Sequence, residues 1–279
     1  MKIKSILSAL LLMVSTMASA QYLNVKLPDG TYHSYKTTPD MKVSFGDKAG
    51  AEIMEPVQVV KLYKGDQVVA EYWDYEVDRV VYEELPPTTG TAKRKDNIDV
   101  NWVQLWKGGP KFAAYNVGAT SVTEYGGYYT WGGNQDVQSV TSPTYNTGTS
   151  TLTGLDDTAT KLWGSNWRMP TQAELQALLD NCDVKWTNDY KGDGTNIKGT
   201  IFTGKQGTAF ASNSVFLPAA GICSDGDVFD QGLNGYYWSS TPNGSSHAYY
   251  LYFYSGYQGV NFDYRRYYGD SVRAVLAEE

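Results

Sequence analysis

The sequence predicts an α+β protein in two parts, a small all-β front and a larger, strand-rich back. Three observations carry that reading. Residues 22–83 hold two similar runs of alternating apolar positions, each broken by a glycine turn. The back is dense in Gly, Trp and Tyr, with short apolar runs between long polar loops. It also contains one strong amphipathic helix signal, at 171–182. The chain has 279 residues, enough for one large or two modest domains.

Residues 1–20 read as an export leader. Lys2 and Lys4 precede an apolar run at 6–14, and Ala18-Ser19-Ala20 fits a small-residue cleavage site before Gln21. A membrane span needs about twice that apolar length, so no span is expected there or later. Residues 21–83 are expected to form the small β domain. Its first copy runs through Val25, Leu27, Asp29-Gly30, Tyr32, Tyr35, Val43 and Phe45. The second runs through Val60, Leu62, Lys64-Gly65, Val68, Trp73, Val80 and Tyr82. Each copy reads as a hairpin plus one further strand; two copies are too few for a solenoid. Residues 84–97, with Pro86-Pro87 and the charged Lys93-Arg94-Lys95-Asp96, read as an exposed linker.

The back domain is expected to span 98–279. Thr171 and Glu174 form a capping box, and Leu175, Leu178, Leu179 and Cys182 then share one helical face. A shorter helix is expected from an Asp156 or Asp157 cap through Ala159, Leu162 and Trp163, ended by Gly164. Strands are expected at 112–117, 128–131, 200–202, 215–218, 235–239, 248–253 and 271–275, with a large surface loop at 135–154. Trp131, Trp163, Trp167 and Trp238 read as core, and Arg168 and Arg273 as buried groups that must be paired.

The most informative stretch is 249–268, which holds eight tyrosines among Ser, Gly, Asn and Asp. A core strand favours Val, Ile and Leu, because a buried Tyr must find a partner for its hydroxyl. Tyrosine with Ser, Gly and Asn is the composition of a recognition surface. The plainer alternative is a Tyr-rich strand pair that is only half buried. On the first reading the ligand-binding residues are Tyr249, Tyr250, Tyr252, Tyr254, Tyr257, Phe262, Asp263, Tyr264, Tyr267 and Tyr268.

Several functions are disfavoured. With 30 acidic and 23 basic residues the formal charge is −7, and loss of Lys2 and Lys4 with the leader would make it more negative. Nucleic acid is therefore not an expected partner. His33 and His247 fall in different domains, so no two-histidine metal site is expected, and no cofactor. No nucleophile elbow, phosphate loop or His-Glu-x-x-His appears, and a non-enzyme is expected. Asp189, Asp193, Asp225 and Asp227 lie in Gly-containing loops that lack the spacing of a calcium loop. Cys182 and Cys223 are expected as buried free thiols.

Six ordered blocks make the back domain recognisable: WVQLWKGGPKFAAYNVGA at 102–119, YGGYYTWG at 125–132, WGSNWRMPT at 163–171, FLPAAG at 216–221, GYYWSST at 235–241 and GDSVRAV at 269–275. Together they resemble the major paralogous domain first named from Fibrobacter succinogenes and abundant in secreted Bacteroidetes proteins. The resemblance implies a C-type-lectin-like fold of the variety seen in formylglycine-generating enzymes. It also implies a module at the outer surface of, or secreted by, a Gram-negative bacterium, with the periplasm as the other destination. The chain departs from the enzymes of that fold, because Cys182 and Cys223 sit in blocks unlike their cysteine pair. The tail further resembles the variable stretch of target proteins of diversity-generating retroelements. That would make the tyrosines diversified positions, and Leu251, Phe253, Val260 and Arg265 their scaffold. The expected function is adhesion or ligand recognition, with a protein or glycan as partner. The alternatives are an assembly subunit of a surface polymer, joined through the front β domain, and a degenerate oxidase-like enzyme.

Overall fold

In the computed structural model the chain divides into two units, 1–87 and 88–279. The structure describes residues 21–27, 32–36, 41–47, 58–64, 67–73, 79–84 and 87–277. The expected leader at 1–20 and the turns at 29–30 and 65 lie outside the described residues. No helix among those described is long and apolar enough to cross a membrane.

The front unit contains β1 (Gln21–Lys26), β2 (Tyr32–Lys36), β3 (Met41–Asp47), β4 (Gln58–Lys64), β5 (Gln67–Trp73) and β6 (Arg79–Glu84). Each copy of the repeat makes its hairpin, β1 with β2 and β4 with β5. The third strand of each copy then crosses to the other: β6 pairs with β1, and β3 with β4. Two three-stranded sheets result, and Val25, Leu62 and Tyr72 bury the apolar contact between them. Neither copy is complete without the other, which is why two copies suffice. The Tyr72 hydroxyl meets both His33 Nδ1 and the Tyr35 hydroxyl. Burial and that phenol pair push its pKa well above the ordinary value.

The back unit is mostly β-sheet with few helices. It opens with β7 (Thr89–Lys93), β8 (Asp99–Gln104) and β9 (Lys111–Ala113). This corrects the expected linker at 84–97: β7 pairs along its whole length with β8, so the back unit begins at Thr88. The segment Thr-Gly-Thr-Ala-Lys is an edge strand held by its backbone, with little apolar surface to announce it.

Helix α1 (Thr158–Trp163) is capped by Asp157, which accepts from the Thr160 amide at 3.0 Å, and ends at Gly164. After β10 (Trp167–Arg168), helix α2 (Gln172–Asn181) starts on the expected capping box of Thr171 and Glu174. Arg168 holds Glu174 through two parallel bonds of 2.8 and 2.6 Å, fixing the helix to the strand before it. Burial works to raise the Glu174 pKa, but Arg168 and the Thr171 amide outweigh it and the carboxyl titrates below its usual range.

Strands β11 (Cys182–Thr187), β12 (Gly199–Gly204) and β13 (Ser214–Pro218) form one antiparallel sheet. The hairpin of β14 (Ile222–Ser224) and β15 (Asp227–Phe229) turns at Asp225-Gly226, both with positive φ, as a two-residue hairpin turn requires. A further sheet joins β16 (Gly235–Asn243), β17 (His247–Tyr254) and β18 (Tyr257–Arg265). Gly235 permits it, since a Cβ there would stand 2.1 Å from the Phe253 ring.

The chain closes with β19 (Val275–Leu276), which lies between β9 and β10. The expected strand at 271–275 is thus shorter, although Ser271 still bridges to Tyr237. The strand expected at 128–131 is reduced to isolated bridges at Tyr129. Two cores flank the β16–β18 sheet. Trp131, Trp163, Trp167, Trp238, Val272 and Ala274 belong to one; Phe112, Leu175, Leu178, Tyr237, Leu251, Phe253 and Val275 to the other.

Candidate functional site

Strand alternation sorts the tyrosines. On β17, Ala248, Tyr250 and Tyr252 pack toward the tryptophan core, while Leu251 and Phe253 join the other core. The rings on the tryptophan side form a continuous ribbon. Tyr236 on β16 lies 5.0 Å from Tyr252 and 5.9 Å from Tyr250. Tyr252 passes to Tyr254 at 5.8 Å, and Tyr254 stacks on Tyr257 at 5.9 Å across the hairpin end. In the other direction Tyr250 meets Tyr264 at 5.9 Å, Tyr264 stacks on Tyr268 at 4.5 Å, and Tyr268 meets Tyr267 at 4.5 Å.

The ribbon is graded from inside to outside. Tyr250 is 6% exposed, while Tyr254, Tyr257 and Tyr267 are 40–41% exposed. Tyr236, Tyr252, Tyr264 and Tyr268 are half-buried. The middle rings therefore serve as core, and the two ends present surface. Burial raises the phenol pKa values of Tyr236, Tyr250 and Tyr252. A hydrogen bond with Tyr267 pushes Tyr268 up to about 12. These four phenols are neutral at physiological pH and offer hydroxyls, not charge.

The expected residues do not all meet. Tyr249 pairs with Asp263, and alternation puts both on the face opposite the ribbon. Tyr250 lies in the core, not on the surface. The side chain of Phe262 lies outside the described residues; its backbone pairs with Tyr250. Tyr236 was missed because it precedes the Tyr-rich stretch by a full strand. The Tyr–Tyr run beside Trp238 was the available signal, but alternation had to be resolved first to tell Tyr236 from the buried Tyr237. The ribbon is bordered by Asp230, whose Oδ2 accepts from the Tyr236 hydroxyl at 3.1 Å and from Asn234 Nδ2 at 3.0 Å.

The sheet is anchored by two buried arginines. Arg273 donates to Asn116 Oδ1, the Ala113 carbonyl and the Phe216 carbonyl, each at 2.9 Å. Asn116 donates in turn to the Tyr125 carbonyl and the Tyr237 hydroxyl, which donates to the Pro218 carbonyl. Burial draws the Arg273 pKa down to about 10, so the guanidinium stays charged at neutral pH. Arg266 lies 4.0 Å over the Trp131 ring and donates to the carbonyls of Asn146, Gly148, Gly244 and His247. It ties the long loop at 133–150 to the ends of β17 and β18. Reciprocal indole bonds, Trp131 to the Ser239 carbonyl and Trp238 to the Tyr129 carbonyl, lock the same region.

Other candidate groups are occupied locally. Asp189 accepts from the Gly194 amide and Asp193 from the Thr195 amide and hydroxyl, so these carboxylates shape their own loop. Cys182 and Cys223 are free and buried, and burial pushes their thiols up to about 12 and about 11. Among the described residues no group of three or more His, Cys, Asp or Glu side chains is placed to hold a metal ion.

The family model described as the Lcl C-terminal domain matches residues 120–275. The chain belongs to the Lcl C-terminal domain family. That family is related to the Fibrobacter paralogous domain which the sequence blocks resemble. No curated protein and no solved structure matches the chain. The matched stretch contains the whole ribbon and ends on Val275, where β19 meets both β9 and β10. The Lcl C-terminal domain is nevertheless not self-contained here. Ala113 and Asn116, which hold its Arg273, precede residue 120, as do β7, β8 and β9.

Proposed function

We propose that this protein is an exported, non-catalytic recognition protein that binds a protein or glycan at a bacterial outer surface. The binding face is the ribbon, above all its exposed ends at Tyr254, Tyr257 and Tyr267. One observation carries the reading: an unbroken row of ring contacts that starts in the core and ends in half-exposed phenols. Rings held this way lose little freedom on binding, and aromatic anchors dominate recognition surfaces. The back unit is read as a C-type-lectin-like fold, and its sequence blocks resemble the Fibrobacter major paralogous domain. Its tail resembles the diversified stretch of retroelement target proteins. On that reading the buried Tyr250 and the fixed Trp238 are scaffold, and variation belongs to the ribbon's ends.

The test is a glycan and surface-protein binding screen with the whole exported chain beside a Tyr254→Ser, Tyr257→Ser, Tyr267→Ser variant. Each substitution is expected to cost about 1–2 kcal/mol of affinity while the melting temperature stays nearly unchanged. A ligand bound equally well by the variant would place recognition elsewhere on the molecule.

A further inference from the structure

Most of the ribbon comes from a stretch of sequence that carries charge of one sign. Residues 206–264 contain Asp225, Asp227, Asp230 and Asp263 and not one lysine or arginine. That span supplies Tyr236, Tyr250, Tyr252, Tyr254, Tyr257 and Tyr264, and the β14–β15 turn that carries Asp225 and Asp227. Asp230 is bonded directly to a ribbon phenol. Phe229 and Leu233, one and three residues from Asp230 along the chain, are 52% and 59% exposed.

The far end of the ribbon already holds a cation from the chain itself. The Arg265 guanidinium lies 6.0 Å from the Tyr267 ring centroid. A ring face attracts cations through its quadrupole, and more strongly where a carboxylate stands nearby. At the other end the rings and the Asp230 carboxylate are in place, in a span of sequence without lysine or arginine.

We propose that the end of the ribbon formed by Tyr236, Tyr252, Tyr254 and Tyr257, with Asp230, binds arginine or lysine side chains of a basic segment on a protein partner. This rests on the ribbon being the recognition surface and names the ligand chemistry. The cation sits over the phenol rings with Asp230 as its counter-charge, while Phe229 and Leu233 cover the aliphatic stem. An acidic glycan or an acidic peptide is disfavoured at the same end, since it would meet the Asp230 carboxylate.

The experiment measures binding of an oligo-arginine peptide to the whole exported chain, with an oligo-glutamate peptide and neutral dextran in parallel. Oligo-arginine is expected to bind best and to weaken as salt rises. Asp230→Asn and Tyr254→Leu should each weaken it by roughly fivefold or more, while Tyr254→Phe, which keeps the ring face, should retain it. Asp183→Asn, an exposed carboxylate on β11, controls for general attraction to an acidic protein and should change little. Equal losses from Asp183→Asn and Asp230→Asn, or no loss from Tyr254→Leu, would overturn the proposal. So would preference for oligo-glutamate or dextran. If either of those binds and the Tyr254, Tyr257 and Tyr267 serine variant abolishes it, the recognition surface stands and only its cationic ligand class falls. Failure of every probe to bind overturns the cationic assignment as well.

Discussion

Two buried ionisable side chains near the C-terminus show how differently a fold treats them. Arg273 has acceptors for its guanidinium nitrogens. Asp270 is fully buried, and neither of its carboxyl oxygens has a hydrogen-bond partner. Burial accordingly raises its pKa well above the ordinary carboxyl value. A carboxyl raised in the folded state supports folding fully below its unfolded pKa, about 4. That support is lost as pH climbs through the folded pKa, because unfolding then releases a proton. Asp270→Asn keeps the shape and removes the ionisation. The variant should therefore melt at a higher temperature than the parent at neutral pH, with the gap closing toward about pH 4. Melting curves across that range check it; a parent that is the more stable at pH 7 would mean that Asp270 is ionised and held.

Within β17 two tyrosines four residues apart do different work. Tyr250 is surrounded by Trp238, Tyr236, Tyr252 and Tyr264, whereas Tyr254 ends the strand 41% exposed. Tyr250→Ala should cost about 3–5 kcal/mol, the range for emptying a large aromatic site in a core. Tyr254→Ala should cost under about 1 kcal/mol. Denaturant titration of the two variants measures the contrast; equal costs would mean that the ribbon is not graded. Both helices were legible in the sequence because their caps are local: Asp157 and Gly164 bound one, Thr171 and Glu174 start the other. Strand β7 was not, since its pairing with β8 lies in backbone bonds that leave no apolar alternation in Thr-Gly-Thr-Ala-Lys. The ribbon was legible as composition but not as a face. A register shift between Tyr250 and Tyr252, and the pairing of Tyr249 with Asp263, decide which rings point together. Neither is visible along one strand alone.

At the scale of the molecule, the unit that closes on itself is longer than the stretch that defines the family. Strands β7, β8 and β9 come before residue 120, yet β19 is hydrogen-bonded to β9 and Arg273 to Ala113 and Asn116. A fragment covering 88–279 should melt cooperatively, while fragments covering 120–279 or 88–270 should not. Calorimetry of the three distinguishes them, and a sharp transition in either shorter fragment would contradict the closure described for β19. The crosswise pairing of the front unit applies the same logic at small size, as each half supplies the strand that completes the other.

The position of β19 has a bearing on how the protein is made. Within the back unit β19 follows both of its neighbours, β9 and β10, in sequence, so at roughly 5–20 residues per second it leaves the ribosome after them. Until Val275 emerges, Phe112 and Arg168 have no strand between them, and Asn116 waits for its guanidinium. The back unit therefore cannot lock before residue 275 has been synthesised. Closure of the five-stranded sheet is then a single late event, set by when β19 appears and not by when β7, β8 and β9 do.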